Sequence, residues 1–199
     1  MEKRQLEQLT QESTLQFRTK KKRKWKYYLG DWIYGFLKLL VLYFVFILVQ
    51  NCVGGIAVVH GKSMEQTFVE GDRVIFQRIG YEPERGDIVL CRTGKGYEDE
   101  LIKRVIGLPG DVINIDRTTG ILSVNGVEQQ ESYLGSDGNS AGDITYPITV
   151  PQGQYFVLGD NRTVSLDSRY SEIGTLERER IDGKVIFRIF PISKIGRIK

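Results

Sequence analysis

The chain has 199 residues, a length that predicts one domain with room for a short appendage. Residues 1–32 carry a net charge of +5, from nine Lys/Arg against four Asp/Glu, so the remaining residues carry −2 of the total of +3. Because the basic excess is confined to one end, beside an apolar run, the composition argues against nucleic-acid binding. Two cysteines and a single histidine argue against a disulfide framework and a zinc site, and we expect no metal and no cofactor.

The N-terminal third predicts a membrane anchor. A basic cluster at residues 20–26 and an aromatic-rich stretch at 27–32 are typical of a membrane interface. Residues 33–54 are then overwhelmingly apolar, and roughly 20 such residues span a bilayer as a helix, with Lys38 near enough to the start to reach the headgroups. The flanking charge predicts a cytoplasmic tail over residues 1–32 and an extracytoplasmic domain over residues 55–199.

The apolar run is also compatible with two alternatives to an anchor helix. A cleaved signal peptide would explain the same apolar run, but the long polar segment before it and its length favour an uncleaved anchor. A buried core helix would show a polar face, and this run has none.

Residues 55–199 predict a mainly β domain of roughly 145 residues, large enough for its own core. Short Val/Ile-rich stretches alternate with polar turns, and Asn125-Gly126 lies between two of them, which is a strong hairpin signal. Residues 185–190 form a last predicted strand, which Pro191 ends. Gly permits positive φ and Asp bonds nearby backbone N–H groups, so the repeated Gly-Asp dipeptide predicts turns, at Gly71-Asp72, Gly86-Asp87, Gly110-Asp111 and Gly159-Asp160.

Ser63, a few residues beyond the apolar run, is the candidate nucleophile. A serine hydroxyl needs a base to attack at neutral pH. His60 is the only histidine, and a separation of three residues in a turning segment does not reliably aim its ring at Ser63, so a Ser-His-Asp triad is disfavoured.

Lys103 is the alternative base. A lysine acts as a base only when neutral, which burial favours. In a strand, Lys103 shares one face with Leu101 and Val105, which suits burial. An exposed edge-strand charge would fit the same pattern, and periodicity alone leaves both readings open.

A third cluster follows the apolar residues 155–158. Residues 159–169 contain two aspartates, two arginines and two serines, enough for a hydrogen-bonded scaffold. Buried charges must be paired. The candidate pairs are Asp167 with Arg169 and Asp160 with Arg104; a solvated turn is the alternative.

Together these stretches resemble type I signal peptidases, membrane-anchored Ser/Lys proteases that remove signal peptides. The resemblance covers the anchor and nearly all of the exported domain, through Ser63-Met64, residues 71–74, residues 103–111 and residues 159–169. It implies a signal-peptidase-like β-barrel or sandwich catalytic domain preceded by one transmembrane helix. It also implies a single-pass cell-membrane protein whose partners are the lipid bilayer and signal-peptide-bearing preproteins, with no nucleic acid.

The resemblance also assigns roles to residues. It implies that Ser63 is the nucleophile and oxyanion donor through its backbone N–H, that Lys103 is the general base, and that Ser165 orients the lysine amine. Met64 would line the substrate pocket. The remaining residues would brace the site: Asp160, Arg104, Asp167 and Arg169.

The chain differs from the family pattern at three positions. Gln66 and Phe68 stand where proline and leucine are usual, and Gly61 stands where many members have a serine that assists the oxyanion, so only backbone donors are expected there. Two alternative functions remain open. A non-catalytic or specialised factor in pilus or surface-protein assembly would tend to lose Ser63 and Lys103, and a sortase-type enzyme using Cys91 would need a histidine in the domain core.

Overall fold

The computed structural model describes residues 11, 30–49, 54–93, 100–135 and 140–198. Helix α1, Gly30–Val49, is long and apolar enough to cross a membrane, although a signal sequence would meet the same criterion. The apolar residues 33–49 of the predicted span are therefore helical, while residues 50–53 and nearly all of the predicted tail lie outside the described residues.

The chain separates into two compact units, Met1–Val49 and Gln50–Lys199. The described part of the second unit is built from twelve strands and two single 3₁₀ turns, Arg178–Arg180 and Ile192–Lys194. This confirms the mainly β prediction. The strands are β1 (Gly55–Val58), β2 (Arg73–Gln77), β3 (Ile88–Arg92), β4 (Glu100–Gly107), β5 (Val112–Ile115), β6 (Leu122–Val124), β7 (Val127–Glu128), β8 (Ile148–Thr149), β9 (Gln154–Leu158), β10 (Leu176–Glu177), β11 (Ile181–Phe190) and β12 (Gly196–Arg197).

The strands form two antiparallel sheets. The larger has the order β1-β2-β11-β3-β4-β9-β10, with β12 also paired to β11, and the smaller has the order β7-β6-β5-β8. Within the residues that the structure describes, β1 and β10 do not pair, so the larger sheet is not a closed barrel. Strand β3 lies between β11 and β4, and its first four side chains are buried on both faces, as its continuous apolar sequence predicts.

The Asn-Gly turn and the first three of the four predicted Gly-Asp turns are present. Asn125 and Gly126 both have positive φ, at 53° and 79°, which is the conformation of a two-residue turn between β6 and β7. In each of the first three Gly-Asp turns, the Asp carboxylate accepts a backbone N–H from three residues earlier, at 2.6–3.1 Å. Asp160 of the fourth Gly-Asp instead pairs with Arg104.

Candidate active site

Ser63 opens a short turn between β1 and β2. The carbonyl of Met64 accepts the N–H groups of Thr67 and Phe68, at 2.8 and 2.6 Å, so the chain makes one helical turn after the serine. Met64 and Phe68 are buried in an apolar cluster with Val59, and this packing fixes the turn on the sheet. Phe68 therefore fills a core position where the family pattern has leucine.

Lys103 lies on β4 and is 1% exposed, which decides between the two open alternatives in favour of burial. Its Nζ donates to Ser165 Oγ at 3.0 Å. Burial is the main cause that holds the pKa of Lys103 below its ordinary value, and the charges of Asp167 and Asp160 oppose this shift only in part. Burial therefore shifts the protonation equilibrium of Lys103 toward the neutral amine, the form that can accept a proton.

Gly159 brings the serine turn and the lysine together. A Cβ added to Gly159 would lie 2.2 Å from Ser165 Oγ and 2.5 Å from the Ser63 carbonyl oxygen. The backbone of Ser63 and the hydroxyl that binds Lys103 thus contact the same glycine. The N–H of Asn161 holds this arrangement by donating to the Ser63 carbonyl at 2.9 Å.

Arg104 and Asp160 form one of the two expected ion pairs. Arg104 Nε and Nη2 lie 2.9 and 2.7 Å from the two carboxylate oxygens, and Nη1 donates to the Gly86 carbonyl. Thr67 Oγ1 donates to Asp160 Oδ2, and the Asp160 N–H lies 3.4 Å from Met64 Sδ. Asp160 therefore connects β4 to the serine turn.

Asp167 and Arg169 form the second expected pair, at 2.8 and 2.9 Å, with both side chains fully buried. Asp167 also accepts the Gly159 N–H at 2.9 Å, and Arg169 donates to the Ser165 carbonyl at 3.1 Å. The pair thus orients the segment that carries Ser165. A buried charge is tolerated when it is paired and hydrogen-bonded, which explains how residues 159–169 pack without apolar bulk.

A pocket of about 430 Å³ lies beside Ser63, and most of the residues that line it are apolar. Met64, which is expected to line the substrate pocket, is among its lining residues. Residues of β1 and of the first half of β4 also line it. The pocket is lined by Ala57, Val58, Val59, His60, Ser63, Met64, Leu90, Glu100, Leu101 and Ile102.

The two alternative catalytic groups are poorly placed. His60 is exposed at the pocket, and no hydrogen bond from its ring to Ser63 occurs among the described residues. Cys91 is fully buried, and burial raises the pKa of its thiol to about 12, so the reactive thiolate is strongly disfavoured.

Several residues that touch the site were not identified from the sequence. Asn161 lies inside residues 159–169, and Thr67 lies between Gln66 and Phe68, two positions compared with the family pattern, so the sequence gave a signal for both. Glu131 and Tyr133 lie in no recognised stretch, yet Glu131 pairs with Arg162, and the Tyr133 ring faces Arg104. Only the tertiary structure reveals them.

Comparison with known proteins gives one consistent family. A family model described as "Signal peptidase, peptidase S26" matches residues 30–190. The "Signal peptidase IB" of Staphylococcus aureus is 34% identical over 182 residues, covering 82% of this chain and 91% of that protein. The "Probable signal peptidase I-2" of Synechocystis is 38% identical over 146 residues, covering 68% of this chain and 62% of that protein.

One solved structure is also similar in sequence. A crystal structure of a signal peptidase I from Enterococcus faecalis V583 is 32% identical, with a TM-score of 0.43; the match covers 53% of this chain and 97% of that one.

Proposed function

The chain belongs to the signal peptidase family, peptidase S26, and from that premise we propose that Ser63 and Lys103 are the dyad with which it cleaves signal peptides from exported preproteins. The observation that carries the assignment is the buried Lys103 amine, which binds Ser165 Oγ, because this hydroxyl lies against the same glycine as the Ser63 carbonyl. The alternative of a non-catalytic assembly factor is disfavoured, because both dyad residues are present.

In the proposed reaction, neutral Lys103 takes the proton of Ser63 Oγ as that oxygen bonds to the scissile carbonyl carbon. The tetrahedral intermediate collapses, the C–N bond breaks, and Lys103 returns the proton to the leaving amine. A water deprotonated by Lys103 then attacks the ester, which frees the signal peptide carboxylate and restores Ser63. Ser165 orients the amine throughout.

The oxyanion is proposed to bind the Ser63 N–H. Gly61 offers no side-chain donor, so backbone groups have to supply this stabilisation. One such donor typically contributes a factor of about 10²–10³ in rate. The Asn161 bond to the Ser63 carbonyl, together with the Met64 carbonyl bonds, would hold that N–H in place.

The substrate is proposed to bind as an extended segment between β1 and β4. In the described residues, β9 pairs only with Arg104–Gly107, so the first half of β4 keeps a free backbone edge. Strand β1 is likewise at a sheet edge. An added strand would pair with these backbones, while the apolar pocket would take the small side chains that precede the cut.

We also propose the boundaries and orientation that the sequence predicts. Residues 1–32 would be a cytoplasmic tail, residues 33–54 the span, and residues 55–199 the extracytoplasmic catalytic domain. The support is the excess of Lys/Arg before α1.

The test is cleavage of a precursor protein by the full-length chain in detergent. We expect Ser63→Ala and Lys103→Met to abolish cleavage, since one removes the attacking oxygen and the other its base, while thermal unfolding still shows a folded protein. As controls, Cys91→Ser should retain activity, and His60→Ala should retain kcat, although KM can change because His60 lines the pocket. Retained cleavage in either dyad variant would refute the dyad; loss in a control would revive the corresponding alternative.

A further inference from the structure

Glu131 makes a buried ion pair with Arg162 that no step of the reaction uses. The Arg162 side chain is 1% exposed and that of Glu131 is 8% exposed. Arg162 Nη1 lies 3.2 Å from Glu131 Oε2, and Nη2 pairs with Oε1. Tyr133 Oη donates to Oε1 at 2.8 Å. The carboxylate is thus satisfied by three donors from two segments.

Arg162, which Glu131 holds in place, also binds the backbone of the site. Its Nε donates to the Gly159 carbonyl at 2.9 Å, while the Gly159 N–H donates to Asp167. The glycine is therefore held at its N–H and at its C=O. Since its Cα lies against Ser165 Oγ and the Ser63 carbonyl, a small rotation of this peptide would move the lysine's partner relative to the nucleophile.

Tyr133 contributes a second connection. Its ring lies 4.1 Å from the Arg104 guanidinium carbon, within the range of a cation–π contact. Arg104 in turn holds Asp160, which binds Thr67 of the serine turn. Residues 131–133, which lie between β7 and β8 of the smaller sheet, thus contact both Arg162, which holds Gly159, and Arg104, which holds Asp160.

We propose that Glu131 is a positioning residue of the peptidase, acting through Arg162 to fix the Gly159 peptide between Ser63 and Ser165. The inference rests on the proposed dyad. Without the Glu131 charge, the buried Arg162 guanidinium lacks its counterion, and an unpaired buried charge is costly enough to drive rearrangement. Gly159 then loses the donor to its carbonyl, and the geometry of the dyad relaxes.

The same arrangement indicates which kinetic quantity should change. Besides burial, the groups that shift the pKa of Lys103 most are Asp167, Cys91, Arg169 and Asp160. Glu131 acts on geometry, so its loss should lower kcat and leave the acid limb of the pH profile in place. Because Glu131 does not line the pocket, KM should change little.

The experiment is Glu131→Gln in the full-length protein in detergent, with Glu128→Gln as control, since Glu128 is exposed on β7. A misplacement near 1 Å costs about 10² in rate, so we expect kcat to fall about 10- to 100-fold, with KM within about two-fold. A lower melting temperature with unchanged kcat per folded molecule would mean a purely structural role and would overturn the proposal.

A double variant tests the route through Arg162. If Glu131 acts through Arg162, adding Glu131→Gln to Arg162→Gln should cause no further loss of kcat, whereas additive losses would overturn this route. If Glu131→Gln does not fold, Tyr133→Phe decides. It removes only the hydroxyl bond to Glu131 and should lower kcat about two- to ten-fold; unchanged kcat overturns the proposal.

The two proposals fail differently. Cleavage that survives Ser63→Ala refutes the dyad, whatever Glu131→Gln does. Normal kcat in Glu131→Gln refutes only the positioning role.

Discussion

Lys103 and Arg104 are neighbours on β4, yet their side chains lie in opposite environments. Lys103 shares its face with Leu101 and Val105, and its Nζ binds the neutral hydroxyl of Ser165. Arg104 projects to the other face and meets a carboxylate. Because successive side chains of a strand point to opposite faces, Lys103 can be a desolvated base while its neighbour Arg104 forms an ion pair that supports the site.

The lowered pKa of Lys103 predicts the acid limb of the pH profile. Above this pKa the amine is neutral and can take the Ser63 proton; as pH falls through it, the amine becomes charged and activity is lost. We expect kcat/KM for precursor cleavage to rise with pH through an apparent pKa below the usual lysine value of about 10.4. A rate profile that stays flat on the acid side would contradict this.

At the scale of secondary-structure elements, the end of β9 meets the serine turn at Gly159. The space is closed by Ser165 Oγ and the Ser63 carbonyl, so no Cβ fits without moving one of them. The serine turn and the segment that carries Ser165 thus meet at a glycine, and the small size of this residue is a steric requirement.

We expect Gly159→Ala to lower kcat about 10²-fold or more, because the added methyl displaces the dyad partners by an ångström or so. Gly196→Ala is the matched control, since a Cβ at Gly196 in β12 meets nothing within 4 Å. The measurement is precursor cleavage alongside circular dichroism. Equal activity in both folded variants would show that the close approach has no catalytic consequence.

At the scale of the whole molecule, the chain consists of two parts: an apolar helix and a β unit with its own core. Three buried apolar clusters lie within the second unit, so this unit has a hydrophobic core of its own. The apolar side chains of α1 are exposed, as they would be in a helix surrounded by lipid.

We expect the full-length chain to stay with membranes after an alkaline carbonate wash. In intact cells, a membrane-impermeant amine reagent should label exposed lysines beyond α1, such as Lys62 and Lys194, and spare the cluster at residues 20–26. Mass spectrometry of the labelled peptides provides the measurement. The reverse labelling pattern would refute the proposed orientation, and release by carbonate would refute the anchor.

The sequence by itself determined the local features. Turn chemistry acts over three or four residues, so Gly-Asp and Asn-Gly were sufficient to place the turns. Because side chains alternate between the two faces of a strand, the order of residues 101–105 was sufficient to put Lys103 on an apolar face. The length of the apolar run was sufficient to predict α1. The mainly β class follows from these same short-range patterns.

Tertiary structure alone decided which distant segments meet. Strand β11 lies between β2 and β3, and Lys103 binds a serine 62 positions later. Local sequence patterns could not decide whether the larger sheet closes into a barrel. They also could not reveal the pairing of Glu131 with Arg162, because these residues are 31 positions apart. The physical reason is that side-chain periodicity specifies which face of a strand is buried, whereas the partner across that face is chosen by packing of the whole unit.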